Sequence, residues 1–379
     1  MTATGDSTDP QWRACDRADL RARLLQDRAP VSGTHRQRLA WAVARRDLPE
    51  IRAIAQHPGT LRDSALDCAR LAAAQAGFGA LSGWDRLSAD YRFCGDEWAT
   101  RIAAAAELGR APSVLSAGSV ALDLTHGLPL VKARVDDRAE GWFVLDSGAP
   151  HALLAEAWVQ RNGLALVSGI AHHVEDGSGN QIDAVTTRVG SVALGAVARD
   201  VPAIVAALPP GLEVAGILSP LDLFPEHAIA FDFAQGRLTV SDGLVAERYA
   251  VPLFWEAGVP LLPARAMGRP AFLMLDTGAG GEILCEDFAR TVDLVASAWA
   301  TTSSAAGEIP IGLADDVAFA VSDSPEELLP IAIKPCRSSG PDVNYIGQDG
   351  LLGMGWMRGR RLLVSANRRG LSFSDRELQ

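Results

Sequence analysis

The chain has 379 residues, 48% of them hydrophobic, and a formal net charge of −11. That length suits two or three domains, and the apolar content excludes a chain that is disordered throughout. The acidic balance, with no basic stripe, excludes a nucleic-acid footprint. The five cysteines are Cys15, Cys68, Cys94, Cys285 and Cys336. Their odd number and spacing speak against a structural metal and against a disulfide framework, and suit a reducing compartment. The opening "MTATGDSTDPQWRACDRADL" holds no apolar run of signal-peptide length, and no window reaches a membrane span. The expectation is a cytoplasmic protein without membrane or nucleic-acid partners.

Residues 1 to 15 read as loose chain. Four to six helices are expected between about 35 and 110, within a helical N-terminal domain covering 1–110. In "RDLPEIRAIAQHPG", Asp47 stands near a cap and Pro49 falls in the first turn. In "TLRDSALDCARLAAAQAGF", Thr60 and Asp63 form a capping pair, Leu61, Ala65, Cys68 and Ala72 share a face, and Gly77 is the stop. From about residue 112 the pattern changes to short β-branched runs punctuated by Gly and Pro, which is strand-and-turn composition.

This second region repeats itself. "GLPLVKARVDDRAEGWFVLDSGA" begins at Gly127, and "GVPLLPARAMGRPAFLMLDTGA" begins at Gly258. "AGILSPLDLF" from Ala215 matches "DGLLGMGWM" from Asp349, and "FDFAQGRLTVSD" from Phe231 matches "VSANRRGLSFSD" from Val364. The offset stays between 130 (Asp146 to Asp276) and 134 (Ala215 to Asp349). The simplest account is two homologous, mainly β lobes, 111–247 and 248–379, joined near "RYAVPL". The fold class expected is therefore multi-domain α + β: an N-terminal α-helical domain, then two homologous lobes.

A single Asp-(Ser/Thr)-Gly is weak evidence, because these are turn residues. Two of them, each closing an apolar strand at the same place in a repeat, bring Asp146 and Asp276 together if a pseudo-twofold axis relates the lobes. Paired carboxylates cannot both ionise easily, so the pair holds one proton between them. The ionised oxygen takes a proton from water while the protonated one polarises a carbonyl, and water adds to a peptide bond without a metal or a covalent intermediate. Ser147 and Thr277 carry hydroxyls able to bridge backbone groups across the axis. Gly148 and Gly278 allow close backbone approach and present N–H groups.

On these residues the sequence resembles the aspartic peptidases, specifically the retropepsin-like branch fused in tandem within one chain, and the proton-sharing pair is that family's known device. The resemblance covers about 117–379 and implies pepsin/retropepsin-like lobes and an endopeptidase that takes an extended peptide. It implies Asp146 and Asp276 as the catalytic pair, supported by Ser147, Gly148, Ala149, Thr277, Gly278 and Ala279, with no metal and no cofactor. The family's later hydrophobic-hydrophobic-glycine is "LLG" at Leu351–Gly353, but "ILS" at 217–219 in the first lobe, where Ser219 is expected to crowd the packing. The flap segments fall at 168–183 and 301–312. Neither holds a tyrosine, since the tyrosines are Tyr91, Tyr249 and Tyr345. Ala149 and Ala279 have no hydroxyl to give the carboxylates, so the pair's pKa values are expected to sit high and activity to lie nearer neutral pH. A catalytically silent peptide-binding module is the alternative. The N-terminal domain is expected to recruit substrate, with a blocking pro-segment as its rival.

Other residues read as structural. His172 and His173 suit an exposed hairpin, Cys285 a small buried site, and Arg134 and Arg265 strand-face or ion-pair positions. "SDSPEEL" (322–328) reads as a solvated loop, and Trp142 and Trp356 as core.

Overall fold

The computed structural model describes residues 14–27, 34–57, 112–166, 169–175, 181–209, 212–242, 249–256, 258–304, 307–336, 346–367 and 369–374. The helix expected from Thr60 to Gly77 lies outside these residues. Three helices come first: α1 (Ala14–Leu25), α2 (His35–Ala44) and α3 (Leu48–Gln56). The first half of the β region then runs β1 (Ser113–Ser116), β2 (Gly118–Asp123), β3 (Leu130–Val135), β4 (Ala139–Leu145), β5 (Ala152–Ala155), α4 (Glu156–Asn162), β6 (Ile170–Glu175), β7 (Gln181–Leu194), β8 (Ala196–Ala206), β9 (Gly216–Leu218), α5 (Pro220–Leu223), β10 (Ala228–Asp232) and β11 (Arg237–Ser241). The second half runs β12 (Val251–Pro252), β13 (Phe254–Glu256), β14 (Val259–Ala266), β15 (Arg269–Leu275), β16 (Glu282–Cys285), α6 (Glu286–Thr291), β17 (Ala298–Ser304), β18 (Gly307–Val321), β19 (Glu327–Lys334), β20 (Gly350–Leu352), α7 (Met354–Met357), β21 (Arg361–Ser365) and β22 (Gly370–Ser374).

Local chemistry explains the helix starts. Thr34 Oγ1 accepts the Gln37 N–H and Gln37 Oε1 accepts the Thr34 N–H, a reciprocal capping box that opens α2. Asp47 caps α3 by accepting the Glu50 N–H at 3.2 Å, with Pro49 in the first turn, as the sequence suggested. α1 begins at Ala14, within and beyond the stretch expected to be loose. In β3, Val131, Ala133 and Val135 are buried while Lys132 and Arg134 face outward, the alternation of a strand with one core face.

The strands form a 14-stranded and an 8-stranded sheet. Part of the larger one is ordered β3-β4-β9-β5-β8-β7-β6, and the smaller contains β14-β15-β20-β16-β19-β18-β17. These two orders match position for position, and extra pairings, β3 with β7 and β14 with β18, curl each one alike. Registers match too. Leu145 pairs with Leu218 in parallel, as Leu275 does with Leu352. Leu153 opposes Ile217, as Ile283 opposes Leu351. Between them, β10 and β21 pair antiparallel through Ala230 and Leu363, with Ala228 opposite Ser365 and Asp232 opposite Arg361. β12, β21 and β22, all from the second half, thus belong to the same sheet as β2 and β11, and the two halves are stitched together along it.

One large apolar cluster fills both halves, with Phe143, Leu145, Phe231, Leu275 and Trp356 among its buried members. A second joins α1–α3 to Phe254, Leu261, Phe272, Met274, Ile346 and Leu351. Among the described residues no helix is long and apolar enough to cross a membrane.

Candidate active site

Each half ends a central strand on its triplet. β4 delivers Asp146, whose N–H donates to Leu218 O at 2.9 Å, and β15 delivers Asp276, whose N–H donates to Leu352 O at 3.0 Å. The ladder therefore continues one residue past each strand and aims both aspartates the same way out of their sheets. Asp146 lies against Gly278 and Asp276 against Gly148, which brings the two carboxyl groups close enough for each to act on the other's titration.

The residues after each aspartate hold this meeting point. The Ser147 N–H donates to Thr277 Oγ1 at 3.0 Å, and the Thr277 N–H donates to Ser147 Oγ at 3.1 Å. Each hydroxyl then donates across the axis, Ser147 to Leu275 O and Thr277 to Leu145 O, both at 2.7 Å. Ser147 and Thr277 are buried, so these four bonds are shielded from water. Gly148 and Ala149 donate their N–H groups to Asp146 Oδ1 at 2.7 and 3.1 Å, and Gly278 donates to Asp276 Oδ1 at 2.9 Å. A Cβ on Gly148 would stand 2.8 Å from Asp276 Cγ, and one on Gly278 would overlap the Asp146 carboxyl. The two triplets interlock tightly enough that only glycine fits at these positions.

Electrostatics follow from this burial. Asp276 is 9% exposed. Burial first, and then the charge of Asp146, push its pKa well above the ordinary carboxylate value. Burial also raises Asp146, opposed by the hydrogen bond from Asp276 and by the N–H groups of Gly148, Ala149 and Gly278. More donors face Asp146, so the geometry favours charge on Asp146 and the shared proton on Asp276. The high pKa values expected from the missing side-chain hydroxyls of Ala149 and Ala279 have burial as their leading cause, and Ala149 does stabilise the charge through its backbone.

The second half differs from the first in its supports. Gly353 leaves no room for a Cβ, because the carbonyls of Gly281 and Ala279 press against it. The first half accommodates Ser219 there, fully buried, with its carbonyl accepting the Leu223 N–H that opens α5. The strand pairing beside Ser219 keeps the same register as that beside Gly353. Glu282 is buried and accepts the Trp356 N–H at 2.5 Å, and burial raises its pKa. Lys334, buried at the end of β19, lies near enough to oppose the upward shift of Asp276. The first-half counterparts of Glu282 and Lys334 are Ala152 and Ala206. Sequence reasoning missed both charged residues. Their signal was a charge at a repeat position where the other copy has alanine.

Hairpins stand at the two expected flap positions. β6 pairs with β7 through Glu175 and Gln181, and β17 with β18 through Ser304 and Gly307. His173 is exposed and paired with Asp183 at 2.7 Å. Arg134 lies 3.7 Å from Glu140 on the outer strand face. Three expectations are corrected. Cys285 is buried but disulfide-bonded to Cys336, because parallel β16 and β19 end side by side. Trp142 is 43% exposed and is no core residue, while Trp356 is. Glu327, within the stretch read as a solvated loop, pairs with Arg360 at 2.7 Å and accepts from Trp356 Nε1. Among the described residues no cluster of three or more His, Cys, Asp or Glu side chains has the arrangement of a metal site.

The comparison with protein families supports an aspartyl protease-like domain in the first half of the β region. Residues 131–219, from β3 through Ser219 and including Asp146, match the sequence model of the family described as aspartyl protease. Comparison with curated proteins gives no match.

Proposed function

We propose that the protein is a single-chain aspartic endopeptidase of tandem, retropepsin-like form, with a helical N-terminal domain (1–110) and two homologous lobes (111–247 and 248–379). Each lobe supplies one member of the catalytic pair, Asp146 and Asp276. The observation that carries this reading is the approach of the Asp146 and Asp276 carboxyl groups, each against the other triplet's glycine, inside the reciprocal Ser147–Thr277 lattice.

In this mechanism a water sits between the carboxyl groups. Charged Asp146 takes its proton while Asp276 gives its own to the scissile carbonyl oxygen, so the tetrahedral adduct forms with no net charge change at the pair. Proton return to the amine nitrogen breaks the C–N bond. The Ser147–Thr277 lattice and the glycine N–H groups hold the carboxyl oxygens in place, which limits reorganisation during the reaction. An extended peptide lies under the two hairpins, bonded through its backbone. No cofactor takes part.

The test is digestion of a diverse peptide library near neutral pH, read by mass spectrometry, with Asp276→Asn as control. Cleavage by wild type alone supports the reading. Peptide capture without cleavage over a broad pH range favours the silent binding module.

A further inference from the structure

We infer that α1–α3 are a permanent wall of the second half's side of the cleft and close the far end of the apolar subsite beside Asp276, rather than a detachable cover. This rests on the peptidase reading for its substrate and on packing for its geometry. Along β15, Leu273 and Leu275 point into the main core, while Phe272 and Met274 point to the opposite face. The ladder continues through the Asp276 N–H, so strand alternation puts Asp276 on the face of Met274. Leu351 sits beside Met274 in register, and Ile283 beside Leu351. Met274, Leu351, Ile283 and Ala279 are thus the apolar ground next to the Asp276 carboxyl.

That ground belongs to the cluster that buries Leu20 and Leu24 of α1, the apolar face of α2, and Ile51 and Ile54 of α3. Ala279 and Ile283 remain only partly buried against it, so the cover stops short of the aspartate. Among the described residues the first half has no such cover. Trp142 holds the repeat position of Phe272, yet it is 43% exposed while Phe272 is 2% exposed beneath the Arg21 guanidinium, 5.2 Å from the ring centroid.

Polar contacts tie the helices to the chain that feeds β20. Arg21 donates to Ile346 O at 2.8 Å, to Gly347 O, and to the Asp349 carboxylate at 3.0 Å. Asp349 in turn accepts the Phe272 N–H at 2.8 Å, within the strand that carries Asp276. From the other side Glu256 accepts the N–H groups of Ile346 and Gly347. Farther along, Arg369 donates to Arg45 O, and the Arg46 guanidinium lies 4.5 Å from the Trp255 ring centroid. Helices anchored this way are part of the second half's structure, and a side chain entering the subsite meets α1 at its end.

The experiment places a site for a sequence-specific protease within residues 58–111 of the 379-residue chain and cuts it. The expected result is that the N-terminal fragment stays bound in native mass spectrometry and cleavage of library peptides is unchanged. A fragment that leaves overturns the inference. Rising turnover then marks a removable pro-segment, and loss on one substrate only marks a recruiter. In a second arm, Leu24→Ala should raise kcat/KM for peptides with a bulkier apolar residue beside the scissile bond by about tenfold relative to a small one. Leu24→Met, which conserves volume, should not. An unchanged ratio in Leu24→Ala overturns the subsite wall. If the intact chain cleaves nothing, the fragment's retention still decides the wall, the second arm is read as peptide binding, and the failure belongs to the peptidase reading.

Discussion

Ser147 and Thr277 each donate a backbone N–H to the other's side-chain oxygen, and each hydroxyl donates onward to the carbonyl preceding the opposite aspartate. Both aspartate-bearing loops are therefore held by the other half of the chain. Thr277→Val keeps the shape but strips an acceptor from the Ser147 N–H and a donor from Leu145 O. Leaving buried polar groups unpaired costs roughly 1–3 kcal/mol each. Urea unfolding should show a loss on the order of 2 kcal/mol or more, with Thr277→Ser close to wild type. Equal stability of Thr277→Val would mean the lattice carries no load.

The glycines make a sharper contrast. A Cβ at Gly278 runs into the Asp146 carboxyl, whereas one at Gly280 meets nothing within 4 Å. Gly278→Ala should abolish turnover and destabilise the chain, and Gly280→Ala should leave both nearly unchanged. Circular dichroism and initial rates on one cleaved peptide distinguish them.

Glu256 gives a pH signature. It is buried, and burial raises its pKa to about 7, against the opposing N–H groups of Gly347 and Ile346 and the nearby Arg17 and Arg21. A raised folded-state pKa means the contribution to stability is full below the unfolded value and is lost as pH rises through the folded one. The window here is from about 4.5 up to and past about 7, and the loss is on the order of 3 kcal/mol. Glu256→Gln should flatten the fall in stability across that window. A variant whose stability still tracks wild type with pH would place the titration elsewhere.

Cys285 and Cys336 close a stretch with a sequence separation of 51. A disulfide of that span typically stabilises by about 2–4 kcal/mol. Alkylation of the unfolded chain without reductant should leave both cysteines unlabelled, and adding reductant should lower the unfolding midpoint. Full labelling without reductant would show that the pair is kept as thiols, which is the state a reducing compartment imposes.

What the sequence made legible was whatever repeats or caps locally. Asp146 and Asp276 stood out because each closes an apolar strand at one offset, and Asp47 and Pro49 marked the start of α3. The glycine-for-serine difference at Gly353 and Ser219 was visible, but its consequence was not, because it depends on how far the Ala279–Gly281 loop leans inward. Partners distant in sequence left no local trace: Arg21 with Ile346, Glu256 with Gly347, Cys285 with Cys336. α1 was missed because its mostly polar, arginine-rich sequence buries only Leu20 and Leu24 among its apolar residues with described burial. The joining of β10 to β21 escaped for a similar reason, since alternation marks a strand but not its neighbour.

The central claim is that Asp146 and Asp276 work as one proton-sharing pair. The most direct measurement is kcat/KM on a single cleaved peptide for wild type, Asp146→Asn and Asp276→Asn across pH, alongside thermal unfolding. With both carboxyl pKa values raised, the one-proton state extends toward neutral pH, and wild-type activity should follow it there. Each variant should lose about a thousandfold or more. Asp276→Asn should be at least as stable as wild type at neutral pH, because it removes a buried group whose ionisation is unfavourable. Either variant retaining wild-type turnover, or activity confined to strongly acidic pH, would contradict the account.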